Sequence, residues 1–102
     1  MREVKYRYVV IELSDGAIDP REVEEYIAKL IQQLFGIQGL SQTLPRVVFQ
    51  RKNIFVVRVR REGLKILRAS LALDLAPRLF VLKTTGTIRK ASRIASSWGR
   101  PS

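Results

Sequence analysis

The sequence predicts a single α+β sandwich, with segments in the order β-α-β-β-α-β and a basic tail. Three observations carry this. Four short segments are rich in β-branched and aromatic residues and alternate with period two. Two segments repeat apolar residues at spacings of three and four, as helices with one buried face do. The chain has 102 residues, 46% of them hydrophobic, which suits one compact core.

The first strand covers residues 5–13, Lys-Tyr-Arg-Tyr-Val-Val-Ile-Glu-Leu. One face carries Arg7, Val9, Ile11 and Leu13; the other carries Tyr6, Tyr8, Val10 and Glu12. Ser14-Asp15-Gly16 ends it as a turn. The first helix starts at Asp19 as N-cap, with Pro20 at the first helical position and Glu22 placed to complete a capping box. Val23, Tyr26, Ile27, Leu30, Ile31, Leu34 and Phe35 form its stripe, and Gly36 ends it. Residues 36–45 read as a loop.

Residues 46–50 form a short strand, Arg51-Lys52-Asn53 a hairpin turn, and residues 54–60 the partner strand. In that strand Phe55, Val57 and Val59 share one face, and Ile54, Val56, Arg58 and Arg60 the other. Gly63 opens a second helix with the stripe Leu64, Leu67, Leu71 and Leu75; Ala69 and Ala72 permit close approach, and Pro77 stops it. Residues 78–85 form the fourth strand. Residues 86–102 are a basic extension, helical to about residue 98 and frayed near Gly99, after a sandwich domain of residues 1–85. This order is ferredoxin-like, or RNA-recognition-like, with a four-stranded antiparallel sheet. The fold serves binding modules and enzymes alike, so it does not decide function.

One face of that sheet stays half apolar. If the helices cover Val9, Ile11, Phe55, Val57 and Val59, the other side presents Tyr6, Tyr8, Val10, Ile54 and Val56. A solvated sheet face alternates to polar residues. These five are therefore expected to be covered, either by the C-terminal tail or by a partner protein.

Charge narrows the function. There are 19 Lys and Arg against 9 acidic residues, a net charge of +10. Residues 1–45 hold five basic and seven acidic groups, whereas residues 46–102 hold fourteen basic groups and only Glu62 and Asp74. A cationic surface this concentrated attracts polyanions and releases their counterions, which makes RNA or DNA the first candidate. A membrane surface fits less well, because no polybasic run adjoins a lipid-anchor motif and no apolar run reaches the ~18 residues of a span. Without Cys there is no disulfide framework or thiolate nucleophile, and without His the commonest general base and metal ligand are missing. A cytoplasmic protein is expected. One Met, one Asn and no Cys also suggest adaptation to heat.

Three groups of residues suit RNA. Arg51 and Lys52 crown the hairpin, and Arg58, Arg60 and Arg61 line the end of the third strand. Such side chains contact phosphates and position without reading sequence, although Lys and Arg also guard strand edges in proteins that bind nothing. The third group is Lys83, Thr85, Gly86, Thr87, Arg89, Lys90 and Arg93. There a strand ends, a glycine turns, and a threonine caps a helix whose first N–H groups and neighbouring hydroxyls suit an anion. The plainer reading is a capped helix with a basic outer face.

Base stacking in the manner of RNA-recognition modules is poorly supported, since residues 52–59 lack the glycine and one stacking aromatic of that motif. An acylphosphatase on this fold is also disfavoured. Ser14-Asp15-Gly16-Ala17 is acidic where its phosphate cradle belongs, and Asn53, the sole asparagine, lies in a hairpin turn.

Several motifs together resemble a family. They are Arg7-Tyr8-Val9-Val10-Ile11-Glu12, Phe35-Gly36 before Gly39-Leu40, Arg58-Val59 with Glu62-Gly63, and Thr85-Gly86-Thr87-Ile88-Arg89-Lys90-Ala91. Over residues 5–93 the chain resembles archaeal ribonuclease P protein component 2, the small ribonuclease P/MRP subunit family. That family usually reads Ser-Gly-Thr-Ile-Arg where this chain has Thr85, which keeps the hydroxyl. The resemblance implies a subunit of an endoribonuclease that removes 5′ leaders from precursor tRNA. It also implies that a large RNA with Mg²⁺ holds the catalytic centre. The partners implied are that RNA, precursor tRNA and protein component 3; the chain itself carries no catalytic residue, binds no cofactor or metal, and is inactive alone. Two other classes remain beside this one: a general RNA-binding or ribosomal accessory protein, and a small enzyme or metabolite-binding domain.

Overall fold

The computed structural model describes residues 5–14 and 18–98. The expected turn at Asp15-Gly16 and the end of the tail beyond Trp98 lie outside them. The elements are β1 (Tyr6–Leu13), α1 (Pro20–Thr43), β2 (Arg46–Arg51), β3 (Ile54–Arg60), α2 (Leu64–Ala72), β4 (Leu79–Thr85) and α3 (Ile88–Ser97). A single 3-10 turn, Arg61–Gly63, leads into α2. The strands lie in the order β2-β3-β1-β4, all antiparallel. Each helical crossover thus skips a strand, which is the expected ferredoxin-like topology.

Strand alternation sorts the apolar residues into two layers. Val9, Ile11 and Leu13 of β1 and Phe55, Val57 and Val59 of β3 meet Val23, Ile27 and Ile31 of α1 and Leu67 and Leu71 of α2. Cross-strand register matches this, pairing Val9 with Val57 and Ile11 with Phe55. Burying each such side chain contributes ~1.5–3 kcal/mol, so this layer dominates stability.

The second layer lies on the opposite face. Ala91 and Ala95 of α3 pack on Val10, Ile54 and Val56, flanked by Tyr8, Val48, Phe49, Leu82 and Ile94. Two alanines one helical turn apart let α3 approach the sheet closely. Two β-bulges widen this layer. Val48 and Phe49 are consecutive, yet both join it, because the register between β2 and β3 shifts between Val47 and Phe49. A second shift, between β1 and β4 at Val10/Ile11, leaves Leu82 without a cross-strand partner between Val81 and Lys83, and Leu82 joins this layer.

α1 departs from expectation. The Asp19 side chain accepts from the Arg21 N–H at 2.8 Å, while the Glu22 N–H goes to the Asp19 carbonyl. Among the described residues the Glu22 carboxylate returns no bond, so the cap forms without the expected box. Gly36, at φ 74° and ψ −175°, interrupts the helix where the sequence predicts its end. Residues 37–43 do not form a loop, however; they resume the helix. Thr43 decides this, being fully buried with its hydroxyl on the Gly39 carbonyl at 2.8 Å. Leu44, in the left-handed region at φ 43°, then ends the helix with its N–H on Leu40.

α2 is shorter than predicted. It stops at Ala72, and Leu75 lies beyond it, fully exposed instead of extending the stripe. Ala72 is exposed as well and makes no close approach. Asp74 is the reason. Its carboxylate accepts from the Ala76 N–H at 3.1 Å and from the Tyr26 hydroxyl of α1, turning the chain before Pro77.

Candidate nucleic-acid interface

α3 is built by the segment that looked suited to phosphate. Thr87 is its N-cap, with Oγ1 accepting from the Lys90 N–H at 3.2 Å, and the Thr85 hydroxyl donates to the Thr87 carbonyl at 2.8 Å. Both hydroxyls therefore shape the turn. Gly86 has no neighbour within 4 Å of where a Cβ would stand and no left-handed φ. Neither strain nor packing requires glycine there, and the turn is open to an approaching backbone. With Ala91 and Ala95 facing the sheet, Arg89, Lys90 and Arg93 remain exposed, as does Lys83 on β4.

The second basic group meets this one across the sheet. Tyr8 of β1 pairs with Arg58 of β3 on one side and Thr85 of β4 on the other. At about 4.8 Å per strand, the Arg58 and Thr85 backbones lie roughly 10 Å apart on one face. Arg58 and Arg60 are half-buried, and Arg61 is exposed. Arg60 pairs with Glu62 at 3.5 Å, while the Arg58 guanidinium lies over the Tyr6 ring, 4.5 Å from its centroid. The hairpin residues Arg51 and Lys52 are exposed but belong to the other end of β3, about 20 Å away at ~3.3 Å per residue. Lys52 sits at φ 54°, and Asn53 ties the turn to β1 by donating to the Leu13 carbonyl at 3.0 Å. The structure thus joins two of the three predicted groups and leaves the hairpin apart.

The sequence reading missed Arg46. It opens β2, is exposed, and pairs directly with Arg58. Its place depends on strand register, for which a lone Arg after Pro45 gives no signal.

The sheet face expected to be covered by the tail or by a partner is covered in large part by the tail. Val10, Ile54 and Val56 are buried beneath α3, because the amphipathic tail supplies the apolar cover they need. Tyr6 and Tyr8 stay half-buried. Exposed apolar side chains gather instead beside the α1 kink, at Leu34, Phe35 and Ile37. No helix among the described residues is long and apolar enough to cross a membrane.

The two acidic residues of the basic half are already engaged, Glu62 with Arg60 and Asp74 with Tyr26 and Ala76. Among the described residues, no three carboxylate, His or Cys groups come together as a metal site. The arrangement can hold polyanion charge.

Residues 7–96 match the model of the Rpp14/Pop5 family. Ribonuclease P protein component 2 of Sulfurisphaera tokodaii is 31% identical over 98 residues, covering 86% of this chain and 76% of that protein. A chain in the cryo-EM structure of yeast ribonuclease MRP shares the fold, with a TM-score of 0.67 at 12% identity, over 85% of this chain and 78% of that one. The family resemblance seen in the sequence thus holds over nearly all of the described residues, and the chain belongs to the Rpp14/Pop5 family.

Proposed function

We propose that the chain serves ribonuclease P as a protein subunit, supporting a catalytic RNA in removing 5′ leaders from precursor tRNA. Family membership and the name of the Sulfurisphaera relative support the subunit role. The observation that carries the mechanism is the joined basic surface. Thr85, which opens the turn into α3, lies on one side of Tyr8 and Arg58 on the other, and Lys83, Arg89, Lys90 and Arg93 are exposed. These cations reduce repulsion between RNA phosphates, so the RNA packs compactly at moderate Mg²⁺. The open Gly86 turn lets a phosphate backbone come close.

In this reading the RNA holds the Mg²⁺ and performs the hydrolysis in the cytoplasm, and the isolated chain cleaves nothing. Component 3 is the protein partner. With most of the sheet face taken by α3, the exposed Leu34, Phe35 and Ile37 supply a surface for it. Reconstitution tests the role: leader cleavage is measured with the cognate RNA and the other proteins, with and without this chain. Cleavage at moderate Mg²⁺ that depends on the chain is expected; equal rates in both mixtures would refute the reading.

A further inference from the structure

α3 does not cover the whole of its sheet face. The apolar cluster beneath it reaches Tyr8 and stops short of Tyr6. What remains is a corner of β1, β2 and β3. Register places Arg46, Arg58 and Tyr8 in one row across it, and Arg60 with Tyr6 in the next. Side chains paired this way share a face, so the corner combines two rings with three guanidinium groups.

We propose that this corner binds an unpaired stretch of RNA, its phosphate seated between Arg46 and Arg58 and a base lying against the tyrosines. The inference rests on the reading of the chain as an RNA-binding subunit and names the form of RNA this part takes. Three features support it. Arg46 and Arg58 face each other directly, and like charges in that position repel. Among the described residues neither has a carboxylate partner; the single ion pair at the corner is taken by Arg60. The Arg58 Nε is shut off from solvent without an acceptor, so stacking on Tyr6 is what holds its guanidinium in place. A pair of opposed, unneutralised arginines suits a phosphate between them, and half-exposed rings beside it suit a base. Both contacts are indifferent to sequence. A duplex keeps its bases stacked inside and cannot lay one on a ring, so the corner selects single strands by shape.

The test uses the full chain with two fluorescent probes, a ten-nucleotide oligouridylate and an RNA duplex of the same length. Arg46→Ala with Arg58→Gln should weaken oligouridylate binding at least tenfold. It should also reduce the salt slope by about 0.7, the value for one phosphate of a single strand. Duplex binding should weaken clearly less than single-strand binding, because the duplex loses charge neutralisation but no stacking contact. Arg46→Ala alone, at an exposed position, should give a smaller loss in the same direction and does not depend on repacking Tyr6. Ultraviolet crosslinking of the oligouridylate should map to Tyr6 or Tyr8. If the double variant keeps full single-strand affinity while Arg89→Ala with Arg93→Ala loses it, the corner is refuted and the RNA-binding reading stands. If the unaltered chain binds neither probe, both fail. If the double variant binds both probes normally but no longer retains another protein subunit, the corner belongs to a protein and the proposal is overturned.

Discussion

The backbone of Gly63 lies directly against that of Thr43. A Cβ on residue 63 would stand 2.4 Å from the Thr43 Cα and 2.7 Å from the Gln42 carbonyl oxygen. This contact joins the resumed end of α1 to the start of α2 and explains why Thr43 is sealed from water.

Gly63→Ala should therefore destabilise the fold, because two of the atoms it meets are backbone and cannot swing aside, and the third is the buried Thr43 hydroxyl, held on the Gly39 carbonyl. A loss of ~1–3 kcal/mol is expected, read as a lower urea midpoint with an unchanged slope. An unaltered midpoint would show that the two helices separate easily at this point.

α3 should be structural as well as basic. A chain ending at Gly86 leaves Val10, Ile54 and Val56 facing water. Each such residue forgoes ~1.5–3 kcal/mol of burial. The truncated chain should bind a hydrophobic dye, associate in sedimentation and melt earlier. A monomer that binds no dye would mean that the sheet face tolerates exposure.

The legible parts of the fold share one property: local spacing determines them. Alternation in Tyr6–Leu13 and Ile54–Arg60 sorts the two faces correctly, and Asp19-Pro20 marks the start of α1. Failures occur where a distant residue decides. Residues 37–43 look like a loop because Gly39 and Ser41 break any stripe; Gly63, twenty residues beyond Thr43, holds them helical. Leu75 continues the leucine spacing on paper, but Tyr26 and Asp74, 48 residues apart, end the helix first. The half-apolar sheet face is legible, whereas its cover is not, because Ala91 and Ala95 are a faint stripe among Arg and Lys. In the site, Arg58 is evident as a charge, but its neighbour Arg46 emerges only from strand register.

The outer face of α3 should account for much of the RNA electrostatics. Arg89→Ala with Lys90→Ala should flatten the slope of log affinity against log salt by about 1.5, corresponding to two phosphate contacts. Folding should be unaffected, since both side chains are exposed. An unchanged slope would place the RNA elsewhere on the protein.

The most direct measurement is a Mg²⁺ titration of leader cleavage in the reconstituted complex. One complex carries the unaltered chain, the other Arg89, Lys90 and Arg93 all replaced by Ala. If these cations neutralise RNA phosphates, the variant complex reaches half-maximal cleavage at higher Mg²⁺, and both reach the same plateau once Mg²⁺ is abundant. Coincident titration curves would contradict the claim that this surface supports the RNA through its charge.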